Sequence, residues 1–154
     1  MKKSLLLSAI LIFGLLACKK AADDPTVNET LTSTRWGIYS LTLESPIGSS
    51  PVDITGTTFK PCELDDAIVF NTGGSFSCKD SNTVCIPANN SIFYNLNGGT
   101  WALSGDTLLT IKKGFNEQPY RIKSFTPSYV EIFQQQKNYL DQLVRYTFKL
   151  KAVN

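Results

Sequence analysis

Apolar and polar side chains alternate strictly from Val144 to Ala152, within the segment Leu143 to Ala152. The apolar set is Val144, Tyr146, Phe148 and Leu150, and between them stand Arg145, Thr147, Lys149 and Lys151. A period of two predicts a β-strand with one buried face and one face in water. Such a strand cannot stand alone, because its apolar face must be covered by a second sheet or by the same sheet curled on itself.

Short segments of the same kind fill the chain from Leu31 onward. Glycine, asparagine, proline and aspartate separate them, and no long segment has helical periodicity. The segments are Arg35 to Glu44, Ala67 to Phe70, Ser75 to Lys79, Ser91 to Leu96, Thr100 to Ser104, Thr107 to Lys112, Tyr120 to Phe125, Ser128 to Gln135 and Leu143 to Ala152. The sequence therefore predicts an all-β protein of about eight or nine antiparallel strands, in a barrel or a sandwich.

The first 17 residues have the features of an export signal. Lys2 and Lys3 precede an uncharged, mostly apolar stretch from Leu5 to Leu16, which is too short to span a hydrocarbon core of roughly 30 Å. The stretch ends in Leu15-Leu16-Ala17-Cys18, which resembles the lipobox of bacterial lipoproteins. The resemblance implies cleavage before Cys18 and a lipid anchor on that cysteine. An ordinary secretory signal with a cysteine near its end is the alternative.

The lipobox also predicts the organisation and location of the mature chain. Residues 18–30 are polar and predict a flexible tether, and residues 31–154 form one domain. We expect an outer membrane lipoprotein of the cell envelope, facing the periplasm or the cell surface, that contacts the membrane through its lipid. Asp23-Asp24 loosely resembles a surface-export signal, and a solvated linker explains this pair equally well.

Histidine is absent from the chain. This removes the usual general base and the usual zinc ligand, and with them every catalytic arrangement of the Ser-His-Asp or Cys-His kind. Without Lys2 and Lys3, which leave with the signal, 13 basic and 13 acidic residues remain, so charge gives no reason to expect nucleic acid binding. We expect a protein that is not an enzyme and needs no cofactor. An enzyme with a carboxylate mechanism ranks third, behind the two binding functions described below.

Several markers, taken in order, resemble the lipocalin-like domains of bacterial lipoproteins. They are Leu31 with Trp36, Cys62-Glu63-Leu64-Asp65-Asp66 before Ile68-Val69-Phe70, a Gly-rich turn, Cys85, and Gly99-Thr100-Trp101-Ala102-Leu103-Ser104 followed by Thr107-Leu108. The resemblance implies a single antiparallel lipocalin-like β-barrel of about eight strands. Two features depart from true lipocalins: Thr34 replaces a glycine, and the alternation turns Arg145 outward, away from the tryptophan on which their arginine packs.

Three cysteines remain besides Cys18, in a chain bound for an oxidising compartment. An odd count means one disulfide with a free thiol, or an intermolecular bond. The resemblance implies a disulfide between Cys62 and Cys85, which would close a loop of about 24 residues and stabilise by roughly 3 kcal/mol. Cys78 would then be a buried thiol on the face of Phe76. A bond between Cys78 and Cys85 is the alternative.

An acidic cluster, Glu63 with Asp65 and Asp66, could offer oxygen ligands to calcium. It lacks the repeated Asp-x-Asp spacing of a calcium loop. We therefore expect these residues to be turn residues in water at the start of a strand, and we predict no metal site.

Inward-facing side chains of the predicted barrel could line a ligand cavity or fill a solid core. They are Trp36, Phe76, Tyr94, Trp101, Tyr120, Ile122, Tyr146 and Phe148. Because an eight-stranded barrel can hold one small ligand, we expect a monomer that binds a small apolar or amphipathic molecule. The alternative is a surface lipoprotein with a solid barrel that acts as a protein- or glycan-interaction module.

Overall fold

A computed structural model describes residues 25–80, 83–85 and 91–153 of the chain. The predicted signal peptide and Cys18 lie outside the described residues. Within those three ranges, no helix is long and apolar enough to cross a membrane.

The described residues form nine strands and four short helices. The strands are β1 (Arg35–Glu44), β2 (Val52–Asp53), β3 (Ala67–Phe70), β4 (Phe76–Lys79), β5 (Thr100–Ser104), β6 (Leu108–Lys113), β7 (Asn116–Phe125), β8 (Tyr129–Lys137) and β9 (Leu143–Val153). The helices are α1 (Val27–Thr32), α2 (Thr55–Thr58), α3 (Pro61–Leu64) and α4 (Ile92–Asn95). The predicted all-β class is confirmed, and the bounds of β1, β3 and β5 coincide with the predicted ones.

One antiparallel sheet contains all nine strands, in the order β4-β3-β1-β9-β8-β7-β6-β5, with β2 paired to β1 outside this path. The edge strands β4 and β5 meet only near their first residues. The contact there consists of an isolated bridge between Ser75 and Thr100 and of backbone hydrogen bonds, such as Trp101 N to Gly74 O at 2.7 Å. The sheet therefore curls until its edges touch, without a continuous ladder between them.

The first strand departs from strict alternation at Tyr39. The pairing of β1 with β9 shifts between Ile38 and Ser40, which marks a β-bulge. The extra residue turns Leu41, which is 2 % exposed, onto the same inner face as Trp36 and Ile38, and it leaves Tyr39 57 % exposed. From the sequence, alternation along Arg35 to Glu44 predicts Trp36 and Ile38 on one face and Tyr39, Leu41 and Leu43 on the other, and the bulge shows that the shared face of Tyr39 and Leu41 is wrong.

Two helices replace other predicted structure. Ser91 to Leu96, predicted as a strand, contains α4, because the Ser91 hydroxyl accepts the amide of Tyr94 and caps the helix. At the other end of the chain, α1 occupies part of the predicted tether. Its Val27 is only 1 % exposed, so the folded region begins before the predicted boundary at residue 31.

Helix α1 packs at the start of β1. The indole Nε1 of Trp36 donates a hydrogen bond to the backbone oxygen of Leu31 at 3.1 Å, and both side chains are fully buried. Arg145 lies on the outer face, where its guanidinium donates to the Glu44 carboxylate at 3.1 Å and stacks over Phe133. This agrees with the expectation that Arg145 does not pack on Trp36.

Candidate functional site

A half-open pocket of about 430 Å³ lies on the inner face of the sheet. Its lining comes from β1, β7, β8 and β9, from the segment after α2 and from the start of α4. The lining residues are Leu41, Thr58, Phe59, Ser91, Ile92, Gln118, Gln134, Gln136, Tyr146 and Phe148. Because β7 begins, β8 ends and β9 begins near this pocket, it lies at the end of the sheet that carries the β6–β7 and β8–β9 turns. Helix α1 lies at the opposite end.

One side of the pocket is an apolar wall. We define this wall as Leu41, Phe59, Ile92 and Phe148. Pairing in the sheet places part of it, because Phe148 of β9 lies between Leu41 of β1 and Ile132 of β8. The aromatic ring of Phe93, next to Ile92, meets the ring of Phe148 edge-to-face at 5.2 Å. The apolar wall is therefore continuous with the core and well supported.

The other side is an amide wall, which we define as Gln118, Gln134 and Gln136. On β8, Gln134 and Gln136 follow the buried Val130 and Ile132 at spacings of two, so the inner face of this strand changes from apolar to polar toward the pocket. Gln134 pairs with Tyr146 and Gln136 with Val144 across β9. The pocket lining thus combines an apolar wall with side chains that can form hydrogen bonds.

The carboxamides of the amide wall retain most of their hydrogen-bonding capacity. Gln118 Nε2 donates to Asn116 Oδ1 at 3.1 Å. Among the described residues, the Gln134 and Gln136 side chains have no hydrogen-bond partner in the protein. Each carboxamide has two N–H donors and one acceptor oxygen, and none of the ten side chains that line the pocket carries a formal charge.

The structure separates the eight residues predicted to line a cavity. Tyr146 and Phe148 line this pocket. The other six, Trp36, Phe76, Tyr94, Trp101, Tyr120 and Ile122, do not line it and belong to the core or pack against it. Phe70 contacts the rings of both Phe76 and Trp101 at about 5.5 Å, so aromatic packing fills the α1 end of the interior.

Tyr120 lies in the core directly behind the apolar wall. Its ring stacks on Phe93 at 5.8 Å and meets Phe148 edge-to-face at 5.9 Å. Within the described part of the chain, its buried hydroxyl has no hydrogen-bond partner. Burial raises the pKa of this phenol well above its usual value.

The predicted disulfide between Cys62 and Cys85 is confirmed, with Cα atoms 5.4 Å apart. The alternative bond between Cys78 and Cys85 is therefore wrong. Cys78 is a buried free thiol, as expected. Burial, with smaller contributions from the Asp66 and Asp80 carboxylates, raises its pKa to about 12, so it is an inert thiol at neutral pH.

The acidic cluster is not the solvated turn that we expected. Glu63 and Asp66 are each only 6 % exposed. The Glu63 carboxylate accepts the backbone amide of Lys60 at 2.8 Å and so caps the start of α3, which explains its burial. In the ranges that the structure describes, no group of three or more acidic or cysteine side chains is arranged to hold a metal ion.

The outer face carries an aromatic pair in which Tyr39 is exposed and Tyr129 is half-buried. Tyr39 and Tyr129 meet edge-to-face at 5.9 Å, and the Lys149 ammonium lies over both rings, 4.6 Å from that of Tyr129. The same ammonium is 3.9 Å from a carboxylate oxygen of Glu131. This cluster exists because the bulge at Tyr39 turns that ring outward, beside Lys149 and Tyr129.

Comparison with known proteins gives no further assignment. No family model matches the chain, and a search of curated proteins finds no significant match. The pocket and the sequence are therefore the features that indicate a function.

Most of the pocket lining was not predicted. Leu41 was not predicted to line a cavity because the bulge in β1 breaks the alternation before it. Ile92 was not predicted because α4 replaces a predicted strand. Phe59 follows a short helix that has no periodic signal. Gln134 and Gln136 did carry a signal, because they continue the inward set of β8 at spacings of two, and polar residues at inward positions indicate a functional surface.

Proposed function

We propose that this chain is a membrane-anchored lipoprotein of the cell envelope, and that its curled sheet acts as a lipocalin-like barrel that binds a small apolar or amphipathic molecule. It acts as a monomer, without catalysis or a cofactor. The lipid on Cys18 holds it in the outer membrane, facing the periplasm or the cell surface.

The observation that carries this proposal is the pocket of about 430 Å³ at the end of the sheet remote from α1. Small-molecule sites are commonly clefts of about 300–1,000 Å³ with apolar walls and a few placed polar groups. The apolar wall and the amide wall have this composition. The apolar wall is continuous with the core through the contact between the rings of Phe93 and Phe148.

Binding of the neutral dye Nile red tests the proposal. The protein is the mature chain from residue 18, with Cys18→Ser so that no lipid or detergent competes for the dye. We expect saturable fluorescence enhancement with about one site per chain, and Tyr146→Ala should weaken binding by about tenfold, or 1.4 kcal/mol. Tyr146→Ala should also cost less stability than the roughly 3–5 kcal/mol of an aromatic truncation in a filled core.

Tyr129→Ala is the matched control, since it removes the same side chain from the outer face. Dye affinity should not change in this variant. Absence of dye binding, together with a full core penalty for Tyr146→Ala, would contradict the proposal. The second candidate, an interaction module for a protein or a glycan, would then be favoured. The partly exposed cluster of Tyr39, Tyr129 and Lys149 is the surface that supports it.

A further inference from the structure

The chemistry of the pocket lining restricts the ligand further than its size does. Its polar groups are the three carboxamides of the amide wall, the Tyr146 phenol and the hydroxyls of Thr58 and Ser91. The charged side chains of the neighbouring strands lie on the other face. Glu117, for example, is next to Gln118 and pairs with Lys112 at 3.7 Å on the outer face.

A formal charge on the ligand would therefore find no partner of opposite charge in the pocket. Moving a charge from water into a partly apolar site is costly unless an opposite charge or several hydrogen bonds compensate for it. A carboxamide offers both a donor and an acceptor, which suits a neutral hydroxyl or amide better than it suits an ion.

We propose that the pocket selects an uncharged amphipathic ligand. Its neutral polar head, a hydroxyl or an amide, lies against the amide wall, and its apolar chain lies against the apolar wall. This inference rests on the proposed function, because it names the ligand class of the same pocket. It excludes free fatty acids and cationic amphiphiles as preferred ligands.

Displacement of Nile red by octanol, octanoate and octylammonium at neutral pH tests this selection. The three probes share one apolar chain and differ in the charge of the head. We expect octanol to bind about tenfold or more tightly than either ion, because each ion loses hydration without gaining a partner. Equal affinity of octanol and octanoate would overturn the neutral selection while leaving the proposed function intact. Failure of the dye and of all three probes to bind would overturn the proposed function itself.

Gln134→Glu places a negative charge in the amide wall with little change in shape. This variant should bind octylammonium about tenfold more tightly and octanoate more weakly than the original protein, because an opposite charge now faces the cation. The matched control is Gln135→Glu, which makes the same change one residue later on the outer face. The control should leave all three affinities unchanged, and an equal response of both variants would contradict the assignment of the polar head to the amide wall.

Discussion

The Tyr120 hydroxyl is a polar group that the fold buries without a partner among the described residues. An unpaired buried hydroxyl costs about 1–3 kcal/mol relative to its hydrated state. Tyr120→Phe keeps the ring contacts with Phe93 and Phe148 and removes only this cost. We expect the variant to be more stable by about 1 kcal/mol at pH 7, measured by urea unfolding.

Alkaline pH should enlarge the difference in the free energy of unfolding between Tyr120→Phe and the original protein. Burial raises the pKa of Tyr120 in the folded state, so the folded protein holds the phenolic proton where the unfolded chain, with a pKa of about 10, releases it. The free energy of unfolding of the original protein therefore falls as pH rises above about 10. Tyr120→Phe lacks this loss, and a constant stability difference between pH 7 and pH 11 would contradict the assignment.

Among the elements, α1 decides where the folded region starts. Val27 and Leu31 are buried on one side of this helix, and Thr26 caps it through a reciprocal pair of hydrogen bonds with Glu29. Val27→Ala should cost about 2 kcal/mol in the free energy of unfolding, because the side chain leaves a packed site. Asn28→Ala, on the exposed side of the same helix, should change stability by less than about 0.5 kcal/mol. If Val27→Ala and Asn28→Ala had equal and negligible effects on stability, residues 27–30 would belong to the tether and not to the folded region.

The strands were the more predictable elements, since alternation reports the burial of a strand directly. The full inward set of β9 and the bounds of β1, β3 and β5 could be predicted. The bulge at Tyr39 could not, because one inserted residue leaves no local signal and shows itself only in the pairing with β9. Helices of four residues, such as α4, are too short for periodicity to distinguish them from strands.

The candidate site was less predictable than the strands for the same reasons. Its apolar wall depends on the bulge, which turns Leu41 inward, and on α4, which contains Ile92, and tertiary contacts determine both. Aromatic content also misled the prediction of the cavity lining, because the aromatic residues Trp36, Phe76, Trp101 and Tyr120 belong to the core. The pocket begins instead where polar residues follow the inward apolar residues of β8. The disulfide between Cys62 and Cys85 followed from the family resemblance and is present.

For the whole molecule, the proposed lipid anchor would determine where the protein works. Signal removal and acylation at Cys18 should place the mature chain in the detergent phase of a Triton X-114 partition, since several buried acyl chains give stable anchoring. The same chain with Cys18→Ser should move to the aqueous phase. A Cys18→Ser protein that remains in the detergent phase after its signal is removed would contradict the anchor.

With the proposed anchor at Cys18, the position of α1 opposite the pocket would determine the route by which a ligand reaches it. The nine residues from Cys18 to Thr26 reach at most about 30 Å, and β1 alone, with its ten residues, runs for about 33 Å. The tether would have to be almost fully extended for the pocket to face the membrane that holds the anchor. In the proposed function, the ligand would therefore enter from the aqueous phase. The filling rate would depend on how much of the ligand is dissolved as monomers, which favours molecules of moderate solubility over those that remain in a bilayer.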